Sequence, residues 1–422
     1  MKSLKNFLIM LCLLYSCPIK AVLPYLYVLS QVNNNTTYFN LLNTANNTNI
    51  LLPSFNLGTN TTFYSNIISS SVSVSSKAIK ICVANISSNN VALLTFPIKT
   101  DSTTTTPTTT IQTIPTIQII SVGTQPVPVA TTSSGKYIYV GNYGDGTISI
   151  IDTTQKVPTV TKTLTVQRHP TAIAFSGQNA YVVTGGDPVA GFGNPTVIVI
   201  DTSSQTVVNI IEVGRGACAI DFYGQYAYIT NRSDNTVSVI DIASQTVVNT
   251  ITVGSQPKAI SVYGQYVYVV NASDTFSPGS ISVIDPTSQS VINTIAVGKS
   301  PSFFNVSPDG KLGYVPQVGG ISVIDLTSLK IVKVITAADA TLNTPVAFSP
   351  NGNYAYLGCS FSIRGHLYVI DTSNLAIVQQ FSLPHYSPYT IVSIPNPPQQ
   401  VTTQTMTKQV SPSKSTKKLS SL

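Results

Sequence analysis

Along this chain apolar and polar residues alternate in short runs, and the runs come in fours. Residues 259–262, 266–270, 281–284 and 291–297 each alternate and are separated by Gly, Asn, Asp, Ser or Pro. A period of two sets one side of an extended strand against a core, and the separating residues are those that turn a backbone. Each group of runs therefore predicts four antiparallel strands. The group itself recurs. Residues 213–254, VGRGACAIDFYGQYAYITNRSDNTVSVIDIASQTVVNTITVG, are followed by VGSQPKAISVYGQYVYVVNASD and later by ISVIDPTSQSVINTIAVG. A repeat of roughly 40 to 50 residues holding four strands predicts the blade of a β-propeller, so the fold class expected is all-β.

Aligning the second and third strands counts the blades. The second strand ends at Asn142, Asn231 and Asn271 and the third at Asp152, Asp241 and Asp285, while Thr184 with Asp201, Gln317 with Asp325 and Cys359 with Asp371 vary the pair. These make six clear units. KICVANISSNNVALLT, with Asn85 and Thr95, and YLYVLSQVNNNTTYFN, with Ser30 and Asn40, add two degenerate ones. The expectation is a single propeller over residues 24–394 with eight blades, or seven if the N-terminal units do not count. The first unit begins near Tyr25 at its second strand, and PYTIVSI (388–394) matches the inner-strand pattern of PKAISVY. That C-terminal strand is expected to complete the N-terminal blade, closing the ring and hiding both sheet edges.

The words YVGN (139–142), YITN (228–231) and YVVN (268–271), each followed by TISIID, TVSVID or ISVID, resemble YVTN-type β-propeller repeats of surface-layer and other exported proteins. The resemblance covers about residues 115–383, and 24–100 less closely. It implies a fold, usually of seven blades, and an exported setting. It implies no activity, because a fold hosts many functions.

Composition narrows the partners. Only 9% of residues are charged, against roughly 25% in an average soluble protein. The formal charge is +7, but Lys2, Lys5 and Lys20 lie in an N-terminal leader and Lys408, Lys414, Lys417 and Lys418 in a C-terminal tail, so 7 − 7 leaves a neutral body. Nucleic-acid binding, which needs cations gathered on a folded face, is excluded on this reading. The leader, residues 1–21, has a cationic start, an apolar stretch over 7–15 and a small Ala21, and reads as a signal peptide. Nine apolar residues fall short of the roughly 20 a spanning helix needs, so no membrane span is expected. Leu14-Tyr15-Ser16-Cys17 also resembles a lipoprotein box, with Tyr15 departing from it, and a lipid anchor at Cys17 is the lesser alternative. The expected localisation is secreted, periplasmic or cell-surface. Cys82, Cys218 and Cys359 remain, with no metal-site spacing, and read as small buried hydrophobes. Residues 101–116 form a Thr/Pro-rich loop between strands, and 396–422 a disordered basic tail, on composition.

Repetition separates frame from function. The Asp ending each third strand precedes Thr, Ser or Gln and is expected to fix a turn through backbone hydrogen bonds. Six copies around a ring cannot converge on one ion. The Gly and Pro of the G-x-x-P words (123–126, 254–257 and 298–301) are expected to turn the chain from one blade into the next. Function requires the copies to differ. In propellers the loops from outer to next inner strand, and from second to third strand, share the face at the channel mouth. The first kind carries Arg168, His169, Arg215 and Lys299, and the second Asp145, Asp187, Arg232, Asp234, Asp274 and Arg364, with Phe192 and Phe276 as aromatic tips. This face is the candidate binding surface.

Enzyme motifs are missing: the sole Glu212 falls on an outer strand, His169, His366 and His385 show no metal spacing, and no G-x-S-x-G or P-loop occurs. No catalytic residue, metal site or cofactor is assigned. The reading is a non-enzymatic binding platform for a protein or glycan of the envelope or extracellular space. The alternatives are a channel hydrolase or lactonase using Arg168, His169 and Arg215, and a surface-layer-like structural protein.

Overall fold

The computed structural model describes strands at 8–12, 25–31, 37–43, 48–51 and 70–74 by their backbone. It then describes residues 78–393 apart from 102–107, 112–115, 167–168, 186–193, 274–276, 338–341, 344, 350–351, 362–363 and 384–391. Its strands form eight sheets in chain order, each running from an inner to an outer strand. Blade 5 shows the pattern: Ala217–Tyr223, Tyr226–Asn231, Thr236–Asp241 and Thr246–Thr252 pair antiparallel in sequence. Neighbouring blades meet mainly through their inner strands. Pro126–Thr131 touches Pro170–Ser176, that strand touches Ala217–Tyr223, and that one Pro257–Tyr263. The last blade touches the first where Ala347–Phe348 meets Leu8–Cys12 and Val392–Ser393. Among the described residues no helix is long and apolar enough to cross a membrane.

The second and third strands are nearly continuous apolar runs because blades cover both their faces. The third residue of the second strand is Tyr139, Tyr181, Tyr228, Tyr268, Tyr314 and Tyr356 in six successive blades, and all six are fully buried. Four of them pack on an aromatic ring of the following blade: Tyr139 on Phe175 at 5.3 Å, Tyr181 on Phe222 at 5.2 Å, Tyr268 on Phe304 at 4.4 Å and Tyr314 on Phe348 at 5.1 Å between centroids. Such pairs add about 0.5–1.5 kcal/mol each beyond burial, so one repeated residue stitches most of the ring. Among the described residues the hydroxyls of Tyr139, Tyr228 and Tyr314 are buried without a hydrogen-bond partner. Burial pushes the phenols of Tyr139 and Tyr228 up to about 12.

The turn at each third-strand end forms as the sequence predicts. Asp201 Oδ1 accepts the N–H groups of Ser203 (3.1 Å) and Ser204 (2.7 Å), Asp241 accepts Ser244 N–H at 2.7 Å, and Asp325 accepts Ser328 N–H at 2.6 Å. The residue closing this turn is left-handed in five blades, at Gln205, Gln245, Gln289, Leu329 and Leu375. Its carbonyl is also a fastening point: Asn209 Nδ2 donates to Gln245 O, Asn249 Nδ2 to Gln289 O and Asn293 Nδ2 to Leu329 O, each at 3.3 Å. Every such bond ties one outer strand to the next blade.

The outer edges are managed. In blades 4 to 8 the register slips by one residue between third and outer strands, leaving Val208, Val248, Ile292, Val332 and Val378 as the extra residue. These same residues are exposed, at 47–51%. A bulge bends the strand and spoils the straight ladder another chain would need, so the exposed Val and Ile belong to a device against edge pairing.

Two N-terminal expectations change. Val392–Ser393 does join the N-terminal blade, but it runs parallel to Leu8–Cys12 rather than beside Tyr25–Gln31. Leu8–Cys12 holds the inner place itself, antiparallel to Tyr25–Gln31, so an apolar run within the segment expected to be a leader forms a strand here. Segment 101–116 is not wholly loop: Thr108–Ile111 pairs with the far end of the long Asn90–Asp101 strand. The Cys17 anchor, the 396–422 tail and His385 lie outside the described residues.

Candidate functional site

The two loop families do meet at one face. Tyr143 N–H donates to Gln125 O, Arg232 N–H to Gly216 O, Ala272 N–H to Gln256 O and Val318 N–H to Lys299 O. Each second-to-third loop is thus laced to the loop that enters its own blade. Beneath them the second strand ends in a buried amide. Asn231 Nδ2 donates to Thr236 Oγ1 (3.0 Å) and Ser238 Oγ (2.9 Å), and Asn142 and Asn271 repeat the arrangement. In blade 7 Gln317 Oε1 accepts Gly298 N–H at 2.6 Å and Ser322 Oγ at 2.7 Å.

These amides explain the glycines. A Cβ on Gly123, Gly214 or Gly254 would fall 2.6 Å from the Cγ of Asn142, Asn231 or Asn271. The left-handed backbone belongs to Gln125, Gln256 and Ser300, just before the Pro, and not to the Gly of the G-x-x-P word. The glycines are there for close approach rather than for φ.

The mouth residues have separate fates. Arg215 is paired: its Nε and its backbone N–H both donate to the Asp234 carboxylate, each at 2.6 Å. Asp145 accepts Thr124 N–H at 2.7 Å, as a loop cap. His169 stacks on Tyr143 at 4.4 Å, with Nδ1 2.6 Å from Tyr143 O, so its ring is fixed between blades 3 and 4. Arg232 Nη2 donates to Gln256 Oε1 at 3.0 Å. Lys299 is exposed beside blade 7. Arg364 opens the strand Arg364–Asp371, so it stands at a strand end rather than within a loop. Arg168, Asp187, Phe192, Asp274 and Phe276 lie outside the described residues. His366 accompanies Gln380 at 2.9 Å on the last blade, and Glu212 ends the outer strand Thr206–Glu212 as expected. Among the described residues no three His, Cys, Asp or Glu gather as a metal site.

The inner strands carry what the sequence reading missed. Between the first and third residues of the inner strand the register slips in blades 4, 5 and 6, which sets Thr171, Cys218 and Lys258 out of the ladder; blade 3 shifts at the same place, across Val127 and Pro128. Bulges re-aim side chains and recur beside functional sites. Here they set four unlike groups, the buried Val127 among them, at equivalent places of the inner strands. Thr171 Oγ1 donates to Val183 O (3.2 Å) and Ala217 O (3.3 Å). Cys218 is only half-buried, against the expectation of three buried thiols, and stands 3.3 Å from Thr230 Oγ1 and 3.6 Å from Pro257 O and Lys258 O. Burial raises its pKa, so it is an unactivated thiol. Lys258 keeps an exposed surface yet is crowded by protein at the mouth; burial, then the Arg232 charge, hold its ammonium below the usual lysine value. Three residues beyond Cys218, Asp221 accepts Phe222 N–H (2.8 Å) and Val262 N–H (2.7 Å), and burial raises its carboxyl. The signal was present as the varied second residue of PTA, ACA and PKA, but only the bulge takes that variation out of the ladder.

Residues 214–249 and 256–275 match the LVIVD repeat. No curated protein matches the sequence. The fold is similar to that of a structure described as dihydro-heme d1 dehydrogenase NirN in complex with DHE, at 15% identity and a TM-score of 0.64, covering 87% of this chain and 75% of that one. It is also similar to apo AztD from Citrobacter koseri, at 14% identity and 0.60, covering 87% and 96%. The computationally designed Ika8 protein aligns at 14% and 0.56, covering 78% and 91%. At such identities these likenesses bear on the fold alone.

Proposed function

We propose that the chain is an exported, non-enzymatic propeller of the YVTN kind whose loop face is a rigid platform for a protein or glycan of the envelope or extracellular space. The observation that supports this is the contrast at the bulge: Val127, Thr171, Cys218 and Lys258 differ at equivalent places on a frame that otherwise repeats. A scaffold alone would leave those positions alike. Against hydrolysis, His169 is held by Tyr143 and Arg215 by Asp234, and the Cys218 thiol is unactivated. Against an array built through blade edges, the outer strands are bulged. If the leader is removed on export, Val392–Ser393 is the segment left to fill the inner place of blade 1.

The test is binding to arrays of envelope glycans and to extracellular protein fractions, comparing the native chain with one shortened across 186–193. Retained stability with lost binding is the expected result. Binding unaltered by the deletion, together with turnover on a lactone and ester panel, would sink the platform reading.

A further inference from the structure

Opposite the repeated tyrosine of the second strand, the inner strand carries Ala130, Ala174, Asp221, Ser261, Asn305 and Ala347 in successive blades. Two of these side chains bridge to the next blade. Asp221 Oδ2 accepts Val262 N–H at 2.7 Å and Asn305 Oδ1 accepts Val346 N–H at 2.9 Å, each reaching an amide 41 residues on. The two bridges differ in charge. Asp221 is partly buried, its Oδ1 accepts Phe222 N–H, and the ion pairs among the described residues, Arg215–Asp234 and Lys311–Asp309, do not include it. The inner strand of blade 4, Pro170–Ser176, packs against its strand and brings no titratable group. The second strands of blades 4 and 5 carry Tyr181, Tyr226 and Tyr228, and the inner strand of blade 6 carries Lys258 and Tyr263. Lys258 stands at the Cys218 end of that strand, with its carbonyl 3.6 Å from Sγ.

We propose that Asp221 is a proton-operated latch between blades 5 and 6, closed by uptake of a proton from solvent and loosened by its release. A carboxylate enclosed by protein loses solvation that its N–H bonds offset only in part, and neutralising it removes that cost. Burial raises the Asp221 carboxyl accordingly. Neutralisation does not undo the bridge. The amide of Asn305 shows that an uncharged carbonyl oxygen holds such an N–H, so a proton on Oδ1 leaves Oδ2 in place on Val262. When the junction opens, water reaches the carboxyl, its pKa falls toward the free value of about 3.9, and the proton leaves. Opening is therefore linked to proton release. The stability that the proton supplies is complete below the free value and is lost as pH rises through the raised, folded one. The bridge from Asn305 to Val346 has no such proton to exchange. Cys218 Sγ meets Pro257 O and Lys258 O across the same junction, so the latch sets how firmly that pair of inner strands is held. The inference stands apart from the platform reading.

The experiment is amide hydrogen exchange of the full chain between neutral pH and about pH 4, read at Val262 and Val346 and referred to the free-peptide rate at each pH. The turn aspartates, whose carboxyls are lowered, keep their charge through this range. Protection of Val262 is expected to rise as pH falls, by up to about tenfold per pH unit for one linked proton, while that of Val346 stays flat. Asp221→Asn is expected to flatten the Val262 profile. In thermal melts over the same range, the midpoint of the native chain is expected to gain on that of Asp221→Asn as pH falls. A Val262 profile that is flat, that falls toward acid or that Val346 follows in step would overturn the latch. So would a pH dependence that persists in Asp221→Asn, or a midpoint gap that stays constant.

Discussion

Two positions one strand apart behave in opposite ways. The third residue of the second strand is tyrosine in six successive blades, whereas the bulged second residue of the inner strand reads Val127, Thr171, Cys218 and Lys258. The difference lies in what each side chain meets. A second-strand tyrosine is enclosed by two blades that are themselves alike, so every copy faces the same packing problem and takes the same solution. A bulged residue reaches the first carbonyl of the next inner strand, Ala217 O for Thr171 and Pro257 O for Cys218, so there the neighbour repeats while the side chain that meets it does not. Uniformity marks where the ring is held, and variety marks where it can be put to use.

The comparison breaks most sharply at Tyr228. Tyr228→Ala is expected to cost about 3–5 kcal/mol, as deletion of a buried ring does, and to lower the thermal midpoint. Tyr228→Phe removes a buried hydroxyl that has no partner among the described residues and is expected to leave the midpoint unchanged or raise it. Denaturant melts of the pair check both; a Tyr228→Phe loss as large as that of Ala would show that the hydroxyl, not the ring, is what repeats.

The next effect tests the repeated turns together. Hydrogen bonds from turn hydroxyls and N–H groups lower the carboxyls of Asp152, Asp201, Asp241, Asp285, Asp325 and Asp371, Asp201 to about 2. Their folded-state pKa values lie below the unfolded value of about 3.9. The stability they supply is therefore complete above that value and is lost as pH falls through the folded values. Asp221, raised by burial, acts in the opposite sense. Thermal melts between pH 5 and roughly pH 2 should show a falling midpoint that continues to the lowest pH; a flat profile would mean the turns hold without their charges. The smallest effect is expected at Lys258, where Lys258→Met should shift the midpoint least, since it removes a crowded ammonium that has no ion-pair partner among the described residues.

Much of the frame could be read from residues in phase. The Asp before Thr or Ser announced the turn, and Asp241 with Ser244 N–H is that turn. The Gly of VGRG and VGSQP was legible as geometric, but its reason was not. Its neighbour is Asn231 or Asn271, a strand away in sequence and in contact only after the blade has folded. Of the mouth residues, Arg215 and Arg232 looked alike as exposed cations on one face. The fold gives Arg215 a carboxylate in Asp234 and gives Arg232 an amide in Gln256, which leaves one neutralised and the other charged.

By itself the sequence determined the class of fold and the turn chemistry, because alternation, Asx turns and strand length act within a few residues of one another. Only the tertiary structure decided which repeated residues touch the next blade, that a one-residue slip sets Thr171, Cys218 and Lys258 out of the ladder, and that Leu8–Cys12 stands where the C-terminal strand was expected. Register and neighbour choice are set by contacts some 40 residues apart, as between Asn249 and Gln289. A local pattern names the strand without naming what lies across from it.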